Sequence, residues 1–277
     1  MLSYRHSFHA GNFADVLKHL IQVEVLEYLQ RKDKPFVYID THAGAGIYLL
    51  ESAESSKNNE YLTGIGRLSA ADWPELKVYL HAVEQCQKGA GEPVYPGSPW
   101  LGQFYLREQD RAFLYELHPQ DLAILEQMTH RDRRVQVRGE DGFAGLIALL
   151  PTTIKRGLVV MDPPYEIKTD YQTAVTTLIA AHRRMATATY ALWYPVVERR
   201  RIDQMERQFR LSGLRNIQLF ELGVTADTDA RGMTASGMIL INPPYTLKAR
   251  MEAVLPRLAQ ALGNGSANWR AEVLVAE

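Results

Sequence analysis

Gly157-Leu158-Val159-Val160-Met161-Asp162-Pro163-Pro164-Tyr165 joins an apolar, β-rich run to two prolines and a tyrosine. A run of this length without polar alternation reads as a strand buried on both faces, the pattern of a parallel sheet. Two prolines cannot continue a central ladder, so the strand stops there. Asp162 is thereby set at the carboxyl end of a parallel strand, the edge where open α/β sheets place their chemistry. A planar exocyclic amine needs two acceptors and an aromatic face. Asp162 and the Pro163 carbonyl accept from its two N–H groups, and Tyr165 offers a face for the ring. Taken alone, the same four residues also read as a strand end with a proline-rich turn. The segments before them separate the two readings.

The chain repeats one pattern, an apolar strand, a short loop with a polar residue, then a helical stretch. Phe36 to Asp40 leads into Thr41-His42-Ala43-Gly44-Ala45-Gly46; Ala112 to Tyr115 ends at Glu116; Arg134 to Val137 ends near Asp141-Gly142; Gly157 to Met161 ends at Asp162. Tyr190 to Tyr194 stops at Pro195, and two more strands follow at Ile217 to Val224 and Gly237 to Asn242. The expectation is a seven-stranded, mostly parallel sheet. Gly44 and Gly46 let the backbone pass close to a ligand lying at the next helix's amino end. Glu116 is an acid of the kind that accepts from two ribose hydroxyls, and Asp141 suits an adenine amino group. A glycine loop, two acids and then Asp-Pro-Pro-Tyr, in that order, predict a site for S-adenosylmethionine with an amine acceptor beside it. Each acid alone also reads as a loop or capping residue.

Spacing places an insertion. Glu116 and Asp141 lie 25 positions apart and Asp141 and Asp162 lie 21 apart, each suiting one strand–helix–strand step, whereas Gly44 and Glu116 lie 72 apart. The excess falls between Leu50 and Gly97, with helical patterning through Tyr61 to Leu68 and Trp73 to Val83. This stretch reads as a small helical subdomain near the mouth of the site. At its end Ser98 looks like a helix N-cap with Pro99 in the first turn. A second motif, Asn242-Pro243-Pro244-Tyr245, resembles the first and by itself suggests a glutamine-methylating enzyme. If the last two strands form a hairpin, however, it lies at the opposite edge and is structural.

Composition bounds the class. The 277 residues are 46% hydrophobic and 23% charged, ordinary for one globular α/β domain with some decoration. No apolar run approaches the roughly 20 residues of a membrane helix, and the amino terminus lacks a secretory layout. The single cysteine, Cys86, excludes an intrachain disulfide and a cysteine-built zinc site. A cytoplasmic protein is expected, and a monomer, because no long apolar seam stands out. The formal net charge is -1, so a surface for nucleic acid must be local. Arg131-Asp132-Arg133-Arg134, Arg183-Arg184, Arg199-Arg200-Arg201 and the amino-terminal Arg5, Lys18, Lys32 and Lys34 are candidates, and each cluster also reads as a solvated helix end or loop.

Tyr4, His6, His9, Asn12, Lys18 and His19 crowd before the first strand. From Asn12, a plausible cap, a helix is expected to about Gln30 with Leu17, Ile21, Val25 and Leu29 on one stripe. The three histidines match no common metal-ligand spacing, and no metal is expected. The segment reads as a cover over cofactor and target, with Tyr4 available to stack or hydrogen-bond.

Six stretches together carry a resemblance. They are Tyr4 to Asn12, Asp40 to Gly46, Tyr95 to Pro99, Glu116-Leu117-His118-Pro119, Asp162 to Tyr165, and Arg231 to Gly237. The sequence resembles the bacterial large-subunit ribosomal RNA methyltransferase J family nearly end to end. The resemblance implies a Rossmann-like class I fold and an S-adenosylmethionine-dependent enzyme that methylates N6 of one adenine in 23S ribosomal RNA, met free or early in assembly. Residues 1–49 and 98–277 would form the methyltransferase domain, with 1–30 as lid and helix, and 50–97 the inserted helical part. Carried over by matching position, Lys18, His19, His42, Ser98, Glu116, Asp141, Gly142 and Asp162 would surround the cofactor. Asp162 would also be catalytic, and Tyr4 would lie near the RNA. Phe13 departs from the family pattern, standing where a histidine is expected. A DNA adenine methyltransferase, a glutamine methyltransferase and a non-catalytic RNA-binding module are the rival readings.

Overall fold

The computed structural model describes residues 8–51, 59–227 and 232–277. In chain order the elements are α1 (Phe13–Gln30), β1 (Val37–Asp40), β2 (Ile47–Leu49), α2 (Glu60–Thr63), α3 (Lys77–Ala90), β3 (Val94–Pro96), α4 (Ser98–Phe104) and β4 (Arg111–Tyr115). There follow α5 (Pro119–Thr129), β5 (Val135–Arg138), α6 (Gly142–Leu149), β6 (Gly157–Met161), α7 (Asp170–Arg184), β7 (Thr189–Val196) and α8 (Arg199–Leu211). The chain closes with β8 (Ile217–Gly223), β9 (Ala235–Ile241), α9 (Leu247–Leu262) and β10 (Asn268–Val275).

The main sheet has eight strands in the order β10-β8-β9-β7-β6-β1-β4-β5, and β2 pairs with β3 separately. The seven strands expected from the sequence are present; the eighth, β10, corrects the count. It pairs antiparallel with β8 at the sheet edge, and Arg270 within it bonds Glu206 at 2.7 Å. Arg270 and Glu272 confine its apolar run to the short Val273–Ala276, too little to mark a strand by itself. β1, β4, β5, β6 and β7 run parallel, and β9 runs antiparallel to both β7 and β8. The strand order reverses between β1 and β6, so their carboxyl ends flank a switch point. β6 is buried at all five positions, as its unbroken apolar run requires.

Strand β7 extends through Pro195, where the sequence reading ended it. The Pro195 carbonyl accepts from the Tyr171 hydroxyl at 3.3 Å while Thr234 N–H bonds the next carbonyl, Val196. A strand residue's N and C=O point the same way, so the proline nitrogen faces the side where β6 has already ended. Its missing N–H breaks no ladder bond.

α1 runs from the Asn12 cap, whose side chain accepts from Ala14 N and Asp15 N, and buries thirteen of its residues. It packs with α3, α9 and Leu101 of α4 in one apolar cluster, while α6, α7 and α8 cover the other face of the sheet. Ile65, Trp73, Leu76, Tyr79 and Val83, between β2 and β3, belong to the same cluster as α1. Between α2 and α3 lie two short 3-10 turns, Ile65–Arg67 and Pro74–Leu76. Cys86 of α3 is buried, which pushes its thiol up to about 12.

The second proline motif does lie at the far edge. Asn242 follows β9, and its amide donates to the carbonyls of Ala186 and Ala188, just before β7 begins. It takes φ +54°, and its carbonyl accepts from the Thr189 hydroxyl at 2.7 Å. Its side chain and backbone are used in closing a turn.

Candidate active site

A cavity of about 910 Å3 opens over the carboxyl ends of the parallel strands, with α1 along one wall. Asp162, one residue beyond β6, meets the Lys18 ammonium at 2.5 Å, and the same nitrogen lies 3.0 Å from Asp15 Oδ1. Asp15 Oδ2 accepts from Gly11 N at 2.9 Å. Lys18 and Asp15 are almost fully buried, so these charges persist there because they are paired and hydrogen-bonded. The Lys18 ammonium also lies 5.9 Å from the centre of the Trp193 ring.

The glycine loop after β1 folds back on β4. Gly44 and Gly46 take φ of +63° and +86°, which only glycine does at low cost. The turn aims Gly44 N at Glu116 Oε2, 2.7 Å away, and His118 N donates to Oε1 at 2.6 Å. Two N–H donors fix the carboxylate while leaving each oxygen further acceptor capacity. Burial raises the Glu116 carboxyl above its ordinary range. Asp141 caps α6, accepting from Ala144 N at 2.8 Å. The next residue is pressed on the β1 loop, since a Cβ on Gly142 would stand 1.8 Å from the Thr41 carbonyl oxygen.

Beneath these loops lie two titratable groups with opposite shifts. Asp40, at the end of β1, is pushed up to about 6 by burial, which hydrogen bonds from Ser98 and Tyr38 only partly offset. Its Oδ2 accepts from the Tyr38 hydroxyl at 2.7 Å. His42 is pushed down to about 4 by burial. It packs edge-on against Phe143 at 4.8 Å, with Nδ1 2.8 Å from Thr41 Oγ1. A neutral imidazole is therefore the form present at neutral pH. Gly97, not Ser98, caps α4, and Ser98 is the first residue of the helix. The sequence expectation was one position late because the extended backbone lies at Gly97. The Ser98 carbonyl accepts instead from Gln22 Nε2 at 2.8 Å, with the Tyr38 hydroxyl oxygen 3.1 Å away, tying α4 to α1. His19, fully buried, places Nδ1 2.8 Å from the Tyr95 hydroxyl.

Lys18, His19, His42, Ser98, Glu116, Asp141, Gly142, Asp162 and Pro163 all line this one cavity. Tyr4 lies outside the described residues. Tyr165 is not in the lining. It adopts φ +52°, its hydroxyl donates to the Trp193 carbonyl at 2.6 Å, and its ring rests 4.3 Å from that of Tyr171. Among the aromatic residues that line the cavity are Trp193 and Phe143, which the sequence reading passed over along with Asp15. Trp193 is the residue after Leu192, which pairs with Met161 on β6. Its place on the strand neighbouring Asp162 was a usable signal, and so was the i,i+3 spacing of Asp15 and Lys18. Among the described residues no group of three or more His, Cys, Asp or Glu is placed to share a metal ion, and no helix is long and apolar enough to cross a membrane.

The family model described as "Ribosomal RNA large subunit methyltransferase D, RlmJ" matches residues 33–275. The chain belongs to the ribosomal RNA large subunit methyltransferase J family. It is 49% identical over 276 residues to the ribosomal RNA large subunit methyltransferase J of Escherichia coli, covering 97% of this chain and 99% of that protein. It is 46% identical over 281 residues to the protein of the same name from Haemophilus influenzae, covering both chains completely. A crystal structure of a Legionella pneumophila protein superposes with a TM-score of 0.85 at 36% identity, over 96% of this chain and 98% of that one. The family model begins after α1, whereas the match to the Haemophilus influenzae protein covers the whole chain, α1 with Lys18 and His19 included.

Proposed function

We propose that this protein transfers a methyl group from S-adenosylmethionine to N6 of an adenine in 23S ribosomal RNA, on a Rossmann-like sheet of the class I methyltransferase kind. The reading is supported by the names of its relatives and carried by one observation. Asp162 shares a rim with the glycine loop, Glu116 and Asp141. The donor and acceptor set fits the cofactor. Glu116, fixed by Gly44 N and His118 N, would accept from the ribose hydroxyls, and Asp141 from the adenine amino group. Gly142 keeps the floor between them at backbone thickness. His42, Ser98, His19 and Lys18 complete the surround. Bound there, S-adenosylmethionine supplies a methyl group activated by its sulfonium.

Adenine N6 is a weak nucleophile because its lone pair is delocalised into the ring. Asp162 and the Pro163 carbonyl, accepting from its two hydrogens, favour a pyramidal nitrogen and return that lone pair. Lys18 holds Asp162 Oδ2, leaving Oδ1 to take the amine N–H. Held in line, the nitrogen gains most of its rate from orientation. As the N–C bond formed, the methyl carbon's bond to sulfur would break, leaving the neutral thioether, and the N–H proton would leave towards Asp162 or water. The target base must be unstacked to enter. Trp193 offers it a face worth about 1–3 kcal/mol, and Tyr165 braces Trp193 from behind through its hydroxyl. The lid role of residues 1–30 and the RNA contact of Tyr4 belong to the same proposal.

The test is to incubate the protein with methyl-labelled cofactor and, separately, protein-free 23S ribosomal RNA, duplex DNA and a protein extract. Label recovered as N6-methyladenosine from the RNA alone is the expected result. Label in DNA or protein, with none in RNA, overturns it.

A further inference from the structure

A buried hydrogen-bond chain links the inserted stretch to the cleft. Tyr79, on α3, places its hydroxyl 2.8 Å from that of Tyr95, on β3, and Tyr95 in turn lies 2.8 Å from His19 Nδ1. Tyr79 and Tyr95 are 1% and 0% exposed, so bulk water does not serve either hydroxyl. The direction of the chain follows from where each proton would end and which charge it would face. Among the described residues the Tyr79 hydroxyl has Tyr95 as its one hydrogen-bond partner. If Tyr79 accepted, its own proton would be left buried facing no acceptor, and a bare His19 Nε2 would face the Asp15 carboxylate; in the opposite direction the proton on Nε2 faces that carboxylate at 4.0 Å. Tyr79 therefore donates to Tyr95, whose proton must then go to His19. Nδ1 of His19 is thereby an acceptor, and its neutral ring carries the proton on Nε2. That nitrogen is turned to Asp15, with Oδ1 at 4.0 Å.

We propose that Tyr95, oriented by Tyr79 of the inserted helix, is the positioning residue that holds His19 as the Nε2–H tautomer on the cleft wall. The inserted stretch thus reaches the cofactor side of the cleft through two hydroxyls, without touching the reacting atoms. This rests on the proposed function only for the consequence it has on cofactor binding; the tautomer itself is a property of the protein alone.

The experiment is nitrogen NMR of protein carrying 15N-histidine, in mildly alkaline buffer, with His19 assigned by its loss in His19→Gln. In the wild type His19 Nδ1 should resonate as an unprotonated, hydrogen-bonded nitrogen and Nε2 as a protonated one. A protonated Nδ1 in wild-type protein overturns the proposal outright and needs no variant to fold. In Tyr95→Phe the donor is gone, so the two tautomers should mix and affinity for S-adenosylmethionine should fall roughly fivefold. The wild-type tautomer kept pure, with unchanged affinity, overturns the role of Tyr95. In Tyr79→Phe the Tyr95 proton stays on His19 but loses the polarising bond behind it, so the Nδ1 resonance should move part of the way to its Tyr95→Phe position. No movement overturns the role of the inserted helix. Failure of the wild type to methylate RNA would strike the proposed function and leave these spectra as they are.

Discussion

Gly142→Ala tests whether the cleft floor is held by direct backbone contact. The added Cβ would meet the Thr41 carbonyl oxygen at 1.8 Å and its carbon at 2.6 Å, whereas ordinary contact begins at 3.4 Å, so the segments must part by about 1.6 Å. Neither side gives easily. Thr41 N is bonded to the Val160 carbonyl at 3.1 Å and Ala43 N to that of Tyr115 at 2.9 Å, which ties the β1 loop to β6 and β4. On the other side Asp141 is already committed as the cap of α6. Overpacking of this kind costs about 1–3 kcal/mol, which lowers the melting temperature of a chain this size by roughly 2–10 °C. A displacement of about 1 Å between binding groups can cost on the order of 100-fold. Because Asp141 and the glycine loop move apart together, affinity for S-adenosylmethionine should drop at least about tenfold by calorimetric titration. Gly89→Ala is the control. It lies within α3 with nothing within 4 Å of its Cβ, and should be neutral or stabilising by up to about 1 kcal/mol. Wild-type affinity and melting temperature in Gly142→Ala would refute the reasoning.

Asp162→Ala should lower methyl transfer to RNA by about 10²–10⁴-fold, while Asp162→Asn, keeping one acceptor, should retain measurably more; an Ala variant turning over at the wild-type rate sinks the mechanism. Trp193→Ala should raise the KM for RNA roughly 5- to 150-fold, the equivalent of about 1–3 kcal/mol of stacking, with Trp193→Phe recovering most of it and cofactor affinity unchanged. Equal losses in both variants would rule out stacking. The buried pair beneath the loops predicts a pH effect. Asp40, raised to about 6, adds stability present below its ordinary pKa and lost as pH rises through 6. His42, lowered to about 4, adds stability present above its ordinary 6.5 and lost as pH falls through 4. Between pH 4 and 6 the two slopes cancel. Asp40→Asn should leave the His42 slope alone, so its unfolding free energy in urea should rise with pH more steeply than wild type, by up to about 1.4 kcal/mol per unit. Parallel profiles for the two proteins would show that these shifts are absent.

The parallel half of the fold was legible because its strands are buried on both faces. β6 is apolar at every position and ends on prolines, so both its place and its carboxyl end could be read directly. The acids after β4 and β5 could be ordered because one crossover unit has a nearly fixed length. What escaped detection follows different rules. β10 lies at an edge where Arg270 and Glu272 take the place of apolar residues. Gly97 caps α4 through its extended backbone, not its side chain. On α1, where Lys18 and His19 were expected at the cofactor, Asp15 was passed over, because only tertiary packing encloses it beside Lys18. Tyr165 was assigned to the cleft from its position in the motif, but its backbone turns left-handed and sends the ring behind Trp193. No sequence period announces that turn.

Charge explains why composition was a poor guide to the partner. Several arginines that could have formed a basic face are bound to acids of the same molecule. Arg199 is held by Glu221 and Asp227, Arg270 by Glu206 and Glu272, Arg134 by Asp132, and Arg201 by Glu198. The cleft itself is lined by Asp15, Asp162, Glu116, Asp121 and Asp141 with one lysine inside it. Such a cavity attracts a sulfonium and repels phosphate. Under the proposed function a nucleic-acid substrate would therefore offer this cleft a base and keep its phosphate backbone outside it. On that proposal recognition would rest on one unstacked base meeting Asp162, Pro163 and Trp193, and specificity on how easily the substrate releases that base.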